Sequence, residues 1–342
     1  MAIVKHLVAD EFGTHIGKYS ERLKVTQNGE TLAQAPLLHL DAVLVTSRGV
    51  SISADALEAC CAHGIPVYFI DSRGEPYASL YSAGLVGTTL TRREQLMAYH
   101  DDRGVRAALA IVEGKIENQA ATLKYLAKSR KENQPELYEE LNHCAAEVRD
   151  VLAELTPLKE YPCVDALRNK LMAQEAVAAK RYWEAARLVI PAEYGWVDRT
   201  GRGAVDPVNS LLNYGYGILY GQVERAIVLA GLDPYAGFIH ADRPGKPSLV
   251  LDFIEEFRQV AVDRVVFGLV NRHYMVKQDE HGRLDAEVRR NFAEKILERL
   301  ESQVPYEGKR HALRAVIQSQ ARHLATFLRG EREAYNPFLA RW

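Results

Sequence analysis

Four side chains in this sequence have the types and spacing to do chemistry together: Glu175, His240, Asp252 and Glu255. Asp252 and Glu255 stand three residues apart in an apolar run that reads as helix, so both carboxylates leave the same face. Glu175 lies in a second apolar helical stretch. Its neighbours at i−4, i+3, i+4 and i+7 are Leu171, Ala178, Ala179 and Tyr182. A carboxylate on such a face must be paired, protonated or bound to a cation, because burying it alone is costly. His240 ends a loop punctuated by Pro234 and Gly237. Two carboxylates and an imidazole converging on one point make a divalent-cation site, and arginines beside it suit phosphodiester chemistry on nucleic acid.

Each of these residues also has a plainer reading. Glu175 could close a salt bridge to a neighbouring helix, and His240 could be a satisfied loop histidine. Asp252 and Glu255 repel each other unless a cation or an arginine lies between them, and Arg258 and Arg264 on the same segment could serve. Glu256, one step further round, reads as solvent-facing. Arg243, Gly245, Lys246 and Pro247 form a basic turn after His240 that could hold phosphate oxygens. Lys309 to Arg332 holds six Lys/Arg against one acid, Glu331. Within it His311, Arg314, Gln318, Arg322 and Arg329 fall on one helical stripe that could track a DNA backbone. Gly215, Gly217 and Gly221 resemble a phosphate-binding loop but read as lying inside a helix, where close packing is the better account. His100-Asp101 reads as a helix end.

The elements that must position these groups are of two kinds. Residues 1–86 read as β-rich, with strands at Ile3–Val8, Leu23–Thr26, Thr31–Ala35, Ala42–Val45 and Val67–Ile70. Asn28-Gly29 marks a hairpin, because both turn positions need positive φ. One helix interrupts, with Ser53 as N-cap, Ala54–His63 as body and Gly64 beyond. From 87 to 342 helical periodicity dominates. Thr91 and Glu94 fit a capping box, and helices are expected over 103–129, 135–155, 164–188, 207–230, 249–271, 285–300 and 310–329. The expected fold is thus α+β: a small β-rich N-terminal domain followed by a larger all-α catalytic domain.

Length and charge set the outer limits. A chain of 342 residues can build two cores. Lys+Arg 43 against Asp+Glu 45 excludes a uniformly basic coat but not a local basic groove. Cys60, Cys61, Cys144 and Cys163 show no zinc spacing and read as reduced packing residues of a cytoplasmic protein. No apolar run approaches the roughly 18 residues of a membrane span.

Three segments together resemble a known family, the CRISPR-associated spacer integrases (the "Cas-one" proteins). They are Leu171-Met172-Ala173-Gln174-Glu175 through Trp183, then Asp206-Pro207-Val208-Asn209-Ser210 through Tyr216, then His240 through Arg258. Gly64-Ile65-Pro66-Val67-Tyr68-Phe69 is similar to that family's β domain. The resemblance implies that Glu175, His240 and Glu255 bind Mg²⁺ or Mn²⁺, with Asp252 the additional acid of the site. It implies nicking of branched or double-stranded DNA and joining of captured 3′-OH ends into a repeat array. It also implies a homodimer formed through the β domain and assembly with a small "Cas-two" partner. Arg243, Lys246, Arg258, Arg314 and Arg322 are the expected phosphate contacts. Two positions depart from the pattern: Ala176 stands where relatives often carry Gly, and Glu255 where some carry Asp. A repair nuclease for branched DNA, or a non-catalytic DNA-binding scaffold whose acids are structural, would show many of the same residues.

Overall fold

The computed structural model describes residues 6–63, 65–71, 73–80, 89–201 and 203–342. It has a strand-rich N-terminal region and a helical remainder, in two compact units. The first unit takes in residues 1–85 and also 201–221 and 275–297; the second holds the rest. The expected Gly64 cap, residues 3–5 of the first strand and the Gly87-Thr88 boundary fall outside the described residues.

In the first unit, strands β1 (His6–Ala9), β2 (His15–Tyr19), β3 (Arg22–Gln27), β4 (Glu30–Pro36), β5 (Ala42–Val45) and β6 (Ser51–Ile52) precede helix α1 (Ala54–Ala62). β7 (Val67–Ile70) and β8 (Pro76–Leu80) follow. One sheet has the order β1-β5-β7-β8, parallel except for the last pair, and the other β4-β3-β2-β6. β5 is the sequence Ala-Val-Leu-Val, buried throughout, as a strand covered on both faces must be. Asn28 and Gly29 have φ of 50° and 86° and close the β3–β4 hairpin, as their types require. Ser53 caps α1 by accepting from the Ala56 N–H at 3.2 Å.

The second unit is built on α3 (Asp102–Lys128), a 27-residue helix. α2 (Thr89–Ala98) precedes it, and α4 (Pro135–Asp150) and α5 (Val164–Arg187) pack along it. Asp101 starts α3 by accepting from the Arg103 N–H at 2.9 Å, so His100-Asp101 is a helix end. Thr91 is no cap: it lies inside α2, buried, and its hydroxyl accepts from Arg329 at 2.9 Å while Glu94 pairs with Arg103. α6 (Pro207–Leu229) contributes residues 207–221 to the first unit and the remainder to the second.

Three of the expected helices are broken, 135–155 passing at Val151 into a 3₁₀ stretch (Val151–Glu160). The stretch 249–271 divides into α7 (Ser248–Phe253), a 3₁₀ turn (Ile254–Glu256), a π-helical turn (Gln259–Asp263) and α8 (Arg264–Val270). Such irregular turns inside helices concentrate at functional sites. After α9 (Ala286–Glu301), β9 (Gln303–Tyr306) pairs with β10 (Lys309–Ala312), so the stretch 310–329 begins on a strand and turns helical only at α10 (Leu313–Leu328). Glu307 and Gly308 turn that hairpin with φ of 48° and 78°. Periodicity missed it because four-residue strands are too short to contradict a helical pattern that resumes at once.

Gly217 and Gly221 of α6 pack closely. A Cβ on Gly217 would strike the Gly74 carbonyl, and one on Gly221 would meet the Tyr68 ring. Gly→Ala inside a helix ordinarily gains about 0.5–1 kcal/mol. Here backbone meets backbone and the overpacking cost of about 1–3 kcal/mol wins. Gly217→Ala is therefore expected to lower the denaturant midpoint, and an unchanged or raised midpoint would show that the contact yields.

Candidate metal centre

The site is built around Asp252, a fully buried carboxylate on α7. Its Oδ2 accepts from the backbone N–H of Phe238 at 2.6 Å and of Ile239 at 2.9 Å. Its Oδ1 accepts from the His240 N–H at 2.9 Å and from His240 Nδ1 at 2.7 Å. A carboxylate at this position can only accept, so Nδ1 carries a proton and Nε2 is the ring nitrogen left to meet a cation. The imidazole is 29% exposed, Asp252 not at all. A metal-binding histidine is ordinarily held in this way.

The loop can reach Asp252 because Gly237 has no side chain: a Cβ there would press on Asp252 Oδ2 and on the backbone of Ser248 and Leu249. Other contacts fasten the loop from outside. Gln95 of α2, buried, donates to the carbonyls of Asp233 and Ala236 and accepts from the Asp233 N–H. Arg168 of α5 donates to the Ile239 carbonyl at 3.1 Å. Ser248 accepts from the Gly237 N–H at 2.9 Å and donates to the Tyr235 carbonyl.

Glu255 sits on the 3₁₀ turn, buried, and Glu175 on the partly exposed face of α5. Lys115 of α3 joins them. Its ammonium is ion-paired to Glu175 and lies 2.6 Å from Glu255. Arg258 is a second cation on Glu255, at 3.3 Å. Burial alone would raise the Glu255 carboxyl, but Arg258 and Lys115 outweigh it and hold it at about 2. Burial also works against the Lys115 charge, yet Glu255 and Glu175 keep the ammonium above its ordinary value. Among the described residues, the ligand atoms of Glu175, His240 and Glu255 do not all lie within 4.8 Å of one another. Lys115 holds the ground between the two acids.

Lys115 was not singled out by spacing, although a signal exists. It stands four residues after Ile111 and one before Ile116, on the buried side of an amphipathic helix. A lysine there requires acidic partners.

The expectation for Glu256 fails. It is fully buried, not solvent-facing, and it accepts from the Tyr335 hydroxyl, the Phe338 N–H at 3.0 Å and Gln320 at 3.3 Å. Asn118 of α3 binds the carbonyls of Glu256 and Phe338, both at 2.8 Å, and accepts from the Ala340 N–H. Phe257 stacks on Phe338 with centroids 5.7 Å apart. The C-terminal segment is thus packed against the turn that carries Glu255.

The basic residues divide into two sets. Arg243 and Lys246 are exposed and close a turn through the Lys246 N–H to Arg243 carbonyl bond at 3.0 Å. Arg322 is exposed on α10. Arg258 is on Glu255, and Arg314 pairs with Glu301 at 2.5 Å. Arg264 does not neutralise the acids; it lies over the Tyr125 and Trp342 rings, 4.4 Å from each centroid. The expected C-terminal stripe is not continuous. His311 is on β10, Gln318 donates to the Ala226 carbonyl, and Arg329 is taken by Thr91 and Glu331.

A buried carboxylate orienting an imidazole, and two acids joined by one lysine, in a helical region that follows a strand-rich one, define a class that comparison with known proteins makes specific. Residues 7–298 match the family model "CRISPR associated protein Cas1". The chain is 40% identical to "CRISPR-associated endonuclease Cas1 1" of Archaeoglobus fulgidus, over 98% of this chain and 99% of that protein. It therefore belongs to the Cas1 family. Its fold is shared with a "Casposase bound to integration product" (TM-score 0.81, 23% identity, 97% of this chain and 93% of that one). It is shared also with a "Cas6-RT-Cas1--Cas2 complex" (TM-score 0.78, 21% identity), where it spans all of this chain but 37% of that one.

Glu256 has a consequence for stability. Burial pushes its carboxyl up to about 7, against an ordinary 4.5 in the unfolded chain. The contribution of the protonated form is complete below pH 4.5 and is lost as pH rises through about 7, a fall of up to about 3 kcal/mol. Glu256→Gln is neutral throughout and is expected to remove that decline. Denaturant unfolding at about pH 5 and about pH 8 checks it: a wild-type-minus-variant difference that does not move with pH contradicts the assignment.

Proposed function

We propose that this protein is a divalent-metal-dependent DNA endonuclease and integrase that joins captured DNA ends into a CRISPR repeat array by strand transfer. Glu175, His240 and Glu255 are its metal ligands. The observation that carries this reading is the buried Asp252, which holds His240 through Nδ1 and leaves Nε2 as the ring atom that can face a cation, with Glu255 within electrostatic reach of the imidazole. The donor set fits Mg²⁺ or Mn²⁺: two hard carboxylates with one imidazole, which Mn²⁺ accepts more readily than Mg²⁺. The Lys115 ammonium, already paired with both acids, supports the fit by showing that this gap attracts positive charge. A divalent ion held there supplies polarisation of the scissile phosphate and stabilisation of charge on the attacking and leaving oxygens.

The chain's own residues do the remaining work. Asp252 keeps the proton on Nδ1 and positions the ring; it is a positioning residue with its acceptor sites filled by N–H groups. Arg243, Lys246 and Arg322 are available to bind the DNA backbone and orient the phosphate. Arg258 and Arg314 reach DNA only by leaving Glu255 and Glu301. Double-stranded and branched DNA are the proposed substrates. The β-rich segment 1–86 is the proposed homodimerisation domain and 87–342 the catalytic domain. A small "Cas-two" partner completes the assembly, a reading supported by the fold shared with the Cas1–Cas2-containing complex. No described helix is long and apolar enough to cross a membrane, and the proposed location is the cytoplasm with the array.

The scaffold reading keeps one observation on its side, since Glu175 and Glu255 are both engaged by Lys115. A cleavage and strand-transfer assay on labelled branched DNA with Mn²⁺ or Mg²⁺ separates the readings. Glu175→Ala and His240→Ala are expected to bind DNA and lose at least about a hundred-fold in turnover, and Asp252→Asn about ten- to a hundred-fold. Chelation should abolish wild-type turnover. DNA binding without any metal-dependent turnover points to a scaffold, and cleavage without joining to a repair nuclease.

A further inference from the structure

Lys115 is the group whose placement the proposed chemistry does not use. Its side chain is 10% exposed, and α3 buries Ile111, Val112, Ile116 and Gln119 around its base. Among the described residues it is the cation paired with Glu175, whereas Glu255 also has Arg258. The two acids and two cations balance, so the cluster is neutral as it stands. Without the ammonium, Glu175 and Glu255 would face each other across the gap with one guanidinium to one side, and both would draw in any available cation. A divalent ion and an ammonium cannot share the space between two carboxylates, because both would seek the same oxygens and repel each other.

We propose that Lys115 is a built-in counter-cation that occupies the gap between Glu175 and Glu255 and competes with the divalent metal for it. This rests on the reading of Glu175, His240 and Glu255 as ligands. In the metal-free protein the ammonium keeps the two acids together; on metal binding its flexible stem carries it aside. Lys115 thereby sets a weaker metal affinity than the donor set alone would give. A metal arriving in the neutral cluster leaves it positively charged, a state that a DNA phosphate relieves.

The test is a titration of the full chain with Mn²⁺, free ion being read by electron paramagnetic resonance, without DNA. Lys115→Met removes the charge and keeps the apolar stem. It is expected to bind Mn²⁺ at least about ten-fold more tightly than wild type, whereas Lys115→Arg stays near wild type. Without metal, Lys115→Met should melt below wild type, and Mn²⁺ should raise it by more. If Lys115→Met does not fold, Lys115→Gln, which retains a donor, carries the same comparison. Equal or weaker binding by the uncharged variants, with His240→Ala still weakening wild type, overturns the role of Lys115 alone. Absence of saturable Mn²⁺ binding in wild type, or indifference to His240→Ala, overturns the ligand assignment beneath it.

Discussion

A buried carboxylate with every acceptor site filled organises this protein's site. Asp252 lies on α7 in an apolar setting where an unsatisfied charge would be severely penalised. The sequence answers that constraint by bringing three successive N–H groups of a loop, and one ring N–H, onto its two oxygens. Remove the carboxylate and the loop from Phe238 to His240 loses the partner of every one of those donors. Gly237, Gln95, Arg168 and Ser248 then read as supports for a single outcome, an imidazole fixed in tautomer and direction.

The acids around that imidazole are divided by environment. Glu255 is kept ionised by Arg258 and Lys115, whereas its neighbour Glu256 is surrounded by neutral donors and drifts toward protonation. Adjacent residues in one 3₁₀ turn thus point into different electrostatic settings. One faces the cation cluster; the other is tied to Tyr335, Phe338 and Gln320. Successive residues of such a turn are rotated by roughly 100–120°, which sends the two side chains to different sides.

Much of this was legible in the sequence and some could not have been. The helix cap at Ser53, the Asn28-Gly29 turn and most helix spans follow from local chemistry, and they appear where local chemistry puts them. The need of Glu175 for a partner was readable from its apolar neighbours, although its own side chain stays partly exposed. That the partner is Lys115, sixty residues away, was not, because periodicity says which face a residue is on but not what comes to meet it. The same limit hid the role of Glu256. Its exposure was judged from its own helix, and the segment that covers it comes from the far end of the chain. Arg314 and Arg329 looked like a basic stripe because their acidic and hydroxyl partners, Glu301 and Thr91, are distant in sequence or across a hairpin.

The anchoring of Tyr335, Phe338 and Ala340 bears on the order in which the molecule is assembled. The bonds from Glu256 to Phe338 and from Asn118 to Phe338 span 82 and 220 residues. Contacts of such separation close large loops and carry a loop-closure cost that local helix contacts do not. On the ribosome, the packing on the turn bearing Glu255 is therefore complete only once the stretch through Ala340 has emerged. A nascent chain lacking that stretch has its acids and its imidazole but not the packing that fixes their turn.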